Sequence, residues 1–138
     1  MQDLSVLKNK SLWKTIGGFD FYTDSIRSGQ RLWASIPDGF VTDGATIPRL
    51  FWSWIPPMGP YGQAAVLHDY LRQTMILKTS LEADAQTISL SIKDTDRLFL
   101  EAMTVLNVPV FKREVMYDAV RVYAVVIKPV RQFVDGLL

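Results

Sequence analysis

Residues 60–75 read PYGQAAVLHDYLRQTM and residues 91–106 read SIKDTDRLFLEAMTVL; what sits at the centre of each stretch decides how this chain folds. Projected at about 100° per residue, the first places Tyr61, Ala64, Ala65, Leu71 and Met75 around His68, with Asp69 at the edge of the apolar face. Pro60 stands where a first helical turn tolerates proline, so a helix is expected to follow it. In the second stretch, Ser91-x-x-Asp94 resembles a capping box with Asp in place of Glu, opening a helix that runs to about Leu106. On that helix Ile92, Phe99, Leu100 and Met103 flank Asp96. Each helix therefore carries a polar residue in the middle of an apolar face. A carboxylate so placed must be paired, hydrogen-bonded, bound to a metal or neutralised by a raised pKa.

Working outward, residues 12–23 (LWKTIGGFDFYT), 30–36 (QRLWASI) and 37–40 (PDGF) alternate aromatic and β-branched residues with turn formers, which predicts two or three short strands. A break falls at residues 25–29, Gly17-Gly18 suits a bulge or tight turn, and Pro37-Asp38-Gly39 suits a turn. Residues 41–60 (VTDGATIPRLFWSWIPPMGP) hold Phe51, Trp52, Trp54 and several prolines, too apolar for a solvated loop. They are expected to pack over the core as a hydrophobic lid, with a ligand-stacking surface as the alternative. Residues 76–90 fit either a loop with a short strand or a frayed helix. A last helix is expected from about Lys112 to Ile127, kinked or ended by Pro129. On it Arg113, Tyr117, Arg121 and Lys128 form a polar stripe, read as a solvated face, opposite Val115, Ala119, Val122 and Val126.

These elements predict one α+β domain over residues 1–138, a small N-terminal antiparallel β-sheet packed on three helices. It divides into a β-rich part (about 12–41), an aromatic and proline-rich loop (42–59) and a helical part (60–138). A length of 138 residues suits one core, and 49% hydrophobic with 21% charged residues excludes the disordered class. A formal charge of +1 provides no global field for nucleic acid. The chain has no cysteine, which removes disulfides, thiolate zinc sites and cysteine nucleophiles. The first residues lack the pattern of a secretory signal, and the longest apolar run, residues 122–127, is too short to cross a bilayer.

Four residues bear on chemistry together: Asp43, His68, Asp69 and Asp96. Helices packed through the faces just described bring His68 to Asp96. The pair can be a satisfied buried contact that sets helix register. It can also join Asp43 in binding a divalent ion, or act as an acid–base unit in which Asp96 orients His68. With a single histidine in the chain, no two-histidine zinc motif exists. No serine-nucleophile motif, phosphate loop or dinucleotide loop is present either.

The succession GFVTDGATIPRLFW (39–52), AAVLHDYL (64–71), DTDRLFLEAM (94–103) and VMYDAVR (115–121) resembles the phage-associated family catalogued as domain of unknown function 1353, over roughly residues 19–123. The resemblance places the family's shared polar positions on Thr42, Asp43, Thr46, Pro48, Arg49, His68, Asp69, Asp96, Tyr117 and Arg121. The chain departs from that pattern at Thr95, where alanine is frequent, and by additional residues between Arg72 and Ser91. What the resemblance implies is a tailed-bacteriophage or prophage origin. The His-Asp dyad also looks like that of the HD-type metal phosphohydrolases, whose upstream histidine is missing here and whose fold is helical throughout.

Two functional expectations follow. The leading one is a virion-associated or assembly protein, linked to the phage tail or its tip, acting through contacts with phage structural proteins. It rests on the resemblance, the aromatic and proline-rich segment and the apolar C-terminal stretch PVRQFVDGLL (129–138). Such a protein resides in the host cytoplasm during assembly and then in the virion, can oligomerise, and requires no nucleic acid, membrane span or cofactor. The alternative is a metal-dependent hydrolase of peptidoglycan or a phosphoester. There Asp43, His68 and Asp96 would hold one divalent ion, with Asp69 as base or orienting group.

Overall fold

A computed structural model describes residues 2–3, 13–42, 44, 47–56 and 61–137. Antiparallel sheet and helices form an α+β fold. A small sheet joins β1 (Gln2–Asp3), β2 (Trp13–Lys14) and β5 (Val41–Thr42) in the order β1-β2-β5. The larger sheet has the order β3-β4-β6-β7, from β3 (Phe19–Arg27), β4 (Gln30–Ile36), β6 (Ile76–Lys78) and β7 (Thr87–Ser89).

The β3–β4 hairpin shows why alternation predicts strand here. Phe19, Phe21 and Thr23 register against Ile36, Ala34 and Leu32 on the core face, where the three β4 residues are buried. On the opposite face Tyr22 pairs with Trp33, ring centroids 5.4 Å apart. The strand runs through Arg27, so the expected break narrows to a turn at Ser28-Gly29, preceded by a register shift after Thr23. A Cβ at Gly18 would stand 2.4 Å from the Ile36 carbonyl oxygen, so close backbone approach requires glycine there. Residues 76–90 resolve into the β6–β7 hairpin, which attaches to β4 through Trp33 and Lys78. The helical part of the chain therefore contains two strands.

Helices α1 (Gly62–Thr74), α2 (Ile92–Val105) and α3 (Val110–Val122) pack α1 on α2 and α2 on α3. The capping box of α2 forms as expected: Ser91 Oγ accepts from the Asp94 N–H, and the Asp94 carboxylate accepts from the Ser91 N–H. Asn107, at φ 61°, ends that helix in the left-handed region asparagine tolerates. Leu32, Ile36, Leu67, Leu71, Phe99, Met103 and Met116 are among the fully buried side chains between sheet and helices. Ile47 and Ile55 of the aromatic segment are buried, while Phe51, Trp52 and Trp54 lean partly buried on the core. Trp52 Nε1 donates to the Ile47 carbonyl at 3.1 Å. The described residues 47–56 of this segment thus pack on the core, though Leu50 among them is exposed.

Two expectations about helix faces are corrected. Ile92 lies on the exposed first turn of α2, away from Asp96's buried surroundings. On α3 the assignment of faces fails toward the C-terminal end, while Val115 and Ala119 are half-buried and Lys128 is exposed. Val122 and Val126 point to solvent, and the inward side carries Met116, Val120 and the guanidinium of Arg121. The buried carboxylate of Asp96 turns this face inward, because an uncompensated charge in the core is worse than an exposed valine. Pro129 does not end the helix. A π-helical turn at residues 123–127 widens the backbone ahead of it, and α4 (Lys128–Leu137) continues. Among the described residues no helix is long and apolar enough to cross a membrane.

Candidate functional site

Three helices converge on Asp96. Its Oδ1 lies 2.6 Å from His68 Nε2 of α1, its Oδ2 accepts from Arg121 Nη1 of α3 at 2.8 Å, and Arg72 Nη1 stands 3.5 Å from Oδ1. The Asp96 side chain is wholly buried and His68 nearly so, at 0% and 1% exposure. Phe99, one turn after Asp96, lies against the imidazole with ring centroids 4.8 Å apart. The i, i+4 step from His68 to Arg72 brings both to the same carboxylate.

Burial is the largest influence on His68, and it pushes the imidazole below its ordinary pKa of 6.5 against the opposing pull of Asp96. Burial also works against ionisation of Asp96. The His68 and Arg121 hydrogen bonds and the charge of Arg72 together outweigh it, holding the carboxyl below its ordinary 3.8. At neutral pH the pair is therefore a neutral imidazole donating its Nε2–H to an ionised carboxylate. Nδ1 then keeps a lone pair, and it is buried with no hydrogen-bond partner among the described residues.

His68, Asp69, Arg72, Gln73, Val120, Tyr123 and Lys128 line a cavity of about 220 Å³. Asp69 is buried and accepts from Gln73 Nε2 at 3.1 Å. A larger open cavity of about 620 Å³ runs along the other side of α2, past Ser25, Arg97, Glu101 and Tyr117. In it the Glu101 carboxylate accepts from the hydroxyls of Thr23 at 2.9 Å and Ser25 at 3.0 Å.

The structure thus brings His68, Asp96 and Arg121 together and seats Asp69 on the rim of the same cavity. Tyr117 belongs to the larger cavity instead. Thr42 is buried in β5, where its Oγ1 accepts from the Gly44 N–H at 3.0 Å. Pro48 precedes a short 3₁₀ turn, and the Arg49 guanidinium sits 4.8 Å from the centroid of the Trp52 ring. Asp43 and Thr46 lie outside the described residues. Thr95 satisfies its own hydroxyl on the Ile92 carbonyl at 2.7 Å, so this departure from the family pattern fits the core without a further partner. Arg72 joins the site without standing among the candidate residues of the sequence, and its place four residues after His68 is the signal for it.

Among the described residues no group of three or more acidic or histidine side chains is placed to hold a metal ion. Both oxygens of Asp96 already face donors, and a cation bound there would have to displace Arg121.

Residues of this chain are 38% identical, over 90 positions, to the uncharacterized protein y4jT of Sinorhizobium fredii (strain NBRC 101917 / NGR234), a match covering 64% of this chain and 23% of that protein. The chain thus spans about a quarter of the length of the curated relative it matches. No solved structure matches it. The sequence profile of one family matches residues 22–120, which include β4, the whole of α1 and α2, and His68, Arg72 and Asp96 of the buried cluster, and end one residue before Arg121. The chain belongs to that family, described as "Protein of unknown function (DUF1353)".

Proposed function

We propose that this protein is a contact module in the assembly of a bacteriophage or prophage particle, working by docking on a structural protein. The observation that carries this reading is the exposed apolar face of α4. Val130, Phe133, Val134 and Leu137 are 46–70% exposed, and Val126 and Ile127 extend the face back into the π turn. α4 continues the helix directly from that turn, and its apolar side chains face solvent and not the core. Anchors at this spacing suit insertion into an apolar groove, and burial of each large side chain supplies about 1.5–3 kcal/mol. Lys128 and Arg131 against Asp135 favour a groove with an acidic rim. The phage setting, tail or tail tip, rests on the family resemblance; on it the protein works in the host cytoplasm and then in the particle.

The test is a Phe133→Asp, Leu137→Asp double variant, scored by co-sedimentation with particles of the phage or prophage that encodes the chain. The reading expects the wild type to co-sediment, and the variant to melt normally and stay behind. A wild type that remains monomeric and binds neither particle nor purified structural protein contradicts it.

A second reading, a hydrolase acting at His68, is favoured by the Asp96-oriented imidazole on the wall of a cavity. Its metal-dependent form needs Asp43, His68 and Asp96 to hold one divalent ion, and the hold of Arg121 on Asp96 weighs against that ligand set. Elemental analysis of protein prepared without chelator separates the two: a stoichiometric metal favours the hydrolase.

A further inference from the structure

The cavity beside His68 has a chemistry that the contact reading does not use. The Nε2 edge of the imidazole is committed to Asp96, which leaves Nδ1 as the ring's polar atom toward other partners, and it has none among the described residues. A bare lone pair accepts from a hydroxyl and repels an anion. Arg72 and Lys128 line the same space and ask for the opposite, an anionic acceptor. A guanidinium has five N–H donors, and the contact of Arg72 with Asp96, at 3.5 Å, is the longest of the three made to that carboxylate. The lining's one carboxylate, Asp69, already accepts from Gln73, so the lining carries two cations against one anion. A volume of about 220 Å³ is several times the roughly 30 Å³ that one water takes up in the liquid.

We infer that this cavity binds a small hydroxylated anion, its anionic group held by Arg72 and Lys128 and its hydroxyl donating to His68 Nδ1. Sugar or polyol phosphates and hydroxy acids share that chemistry, and glycerol phosphate and glycerate are probes for the two. His68 is the chain's single histidine, so its ring nitrogens give an unambiguous signal. Imidazole ¹⁵N spectra recorded during titration should show Nδ1 moving toward the hydrogen-bonded position with at least one probe, while Nε2 stays protonated. Glycerol, which lacks the anion, and inorganic phosphate, which lacks the carbon-borne hydroxyl, should each bind at least about tenfold more weakly, as expected for loss of one good hydrogen bond. Lys128→Gln lies on an exposed position and should keep the fold while weakening the better probe by a similar factor. A cavity filled by water alone would leave Nδ1 unmoved by either probe and overturn the inference. Equal binding of glycerol or of phosphate, or an unchanged affinity in Lys128→Gln, would overturn it too.

Discussion

Replacing Asp96 with alanine removes the acceptor on which three helices meet, and its consequence can be worked out contact by contact. The His68 N–H, in a side chain 1% exposed, loses its acceptor; stranding such a buried donor costs about 1–3 kcal/mol. Arg72 and Arg121, with side chains 11% and 23% exposed, become neighbouring cations without a counter-charge. Arg121 can swing outward and recover hydration in part, whereas Arg72 stays near the core, so their joint penalty is again of order 1–3 kcal/mol. The sum, about 2–6 kcal/mol, is centred on the range of about 3–5 kcal/mol for breaking a buried pair from one side, and a loss in that range lowers Tm by roughly 10–20 °C in a domain of this size. Asp96→Asn keeps an acceptor for His68 but not the charge, and should fall between wild type and Asp96→Ala. Urea unfolding followed by circular dichroism at pH 7 measures all three proteins. A loss below about 1 kcal/mol for Asp96→Ala would refute the reasoning, since no buried ion pair bears so small a penalty for one-sided removal.

Other outcomes follow from the same geometry. Arg121→Ala should destabilise by about 1.5–3 kcal/mol, the worth of a hydrogen bond to a charged group, while Val122→Ser and Val126→Ser on the outward face should each stay within about 0.5 kcal/mol; urea midpoints of the three variants test which side of α3 faces the core. His68→Gln can still donate to Asp96 but loses the ring contact with Phe99, so it should fold with a modest loss of stability and keep phage complementation if contacts are the function; a folded variant inactive in complementation or hydrolysis would favour chemistry at His68. Acid should weaken the wild type in two windows. His68 resists protonation when folded, so the unfolded chain binds the extra proton as pH drops below about 6.5, and stability falls by up to about 1.4 kcal/mol per pH unit. Asp96, depressed when folded, adds its loss as pH falls below 3.8 toward its lower folded value. His68→Gln should flatten the first window and leave the second, as read from urea midpoints across pH.

The helical projections of residues 60–75 and 91–106 found the core of the site because a polar residue ringed by apolar ones has few outlets, and His68 and Asp96 are indeed hydrogen-bonded to each other. A buried carboxylate also calls for cations to answer it. Arg72 lay one turn from His68, and Arg121 was assigned to a solvated stripe because its charge outweighed the long apolar stem that lets arginine reach inward. The valines opposite it were equally misleading, since apolar residues on a surface are ordinary. The β6–β7 hairpin escaped because its strands have three residues each and owe their conformation to the edge of β4, a partner more than forty positions away. Local pattern carries no information about such pairing.

The protonation state of His68 underlies the buried pair, the acid sensitivity and the ligand cavity together, and one spectrum addresses it. The ¹⁵N resonances of the single imidazole, recorded at neutral pH and through an acid titration, should show a proton held on Nε2, a bare Nδ1, and no titration near the ordinary pKa of 6.5. A ring protonated on Nδ1, one exchanging between tautomers, or one that titrates at its ordinary value would contradict the account.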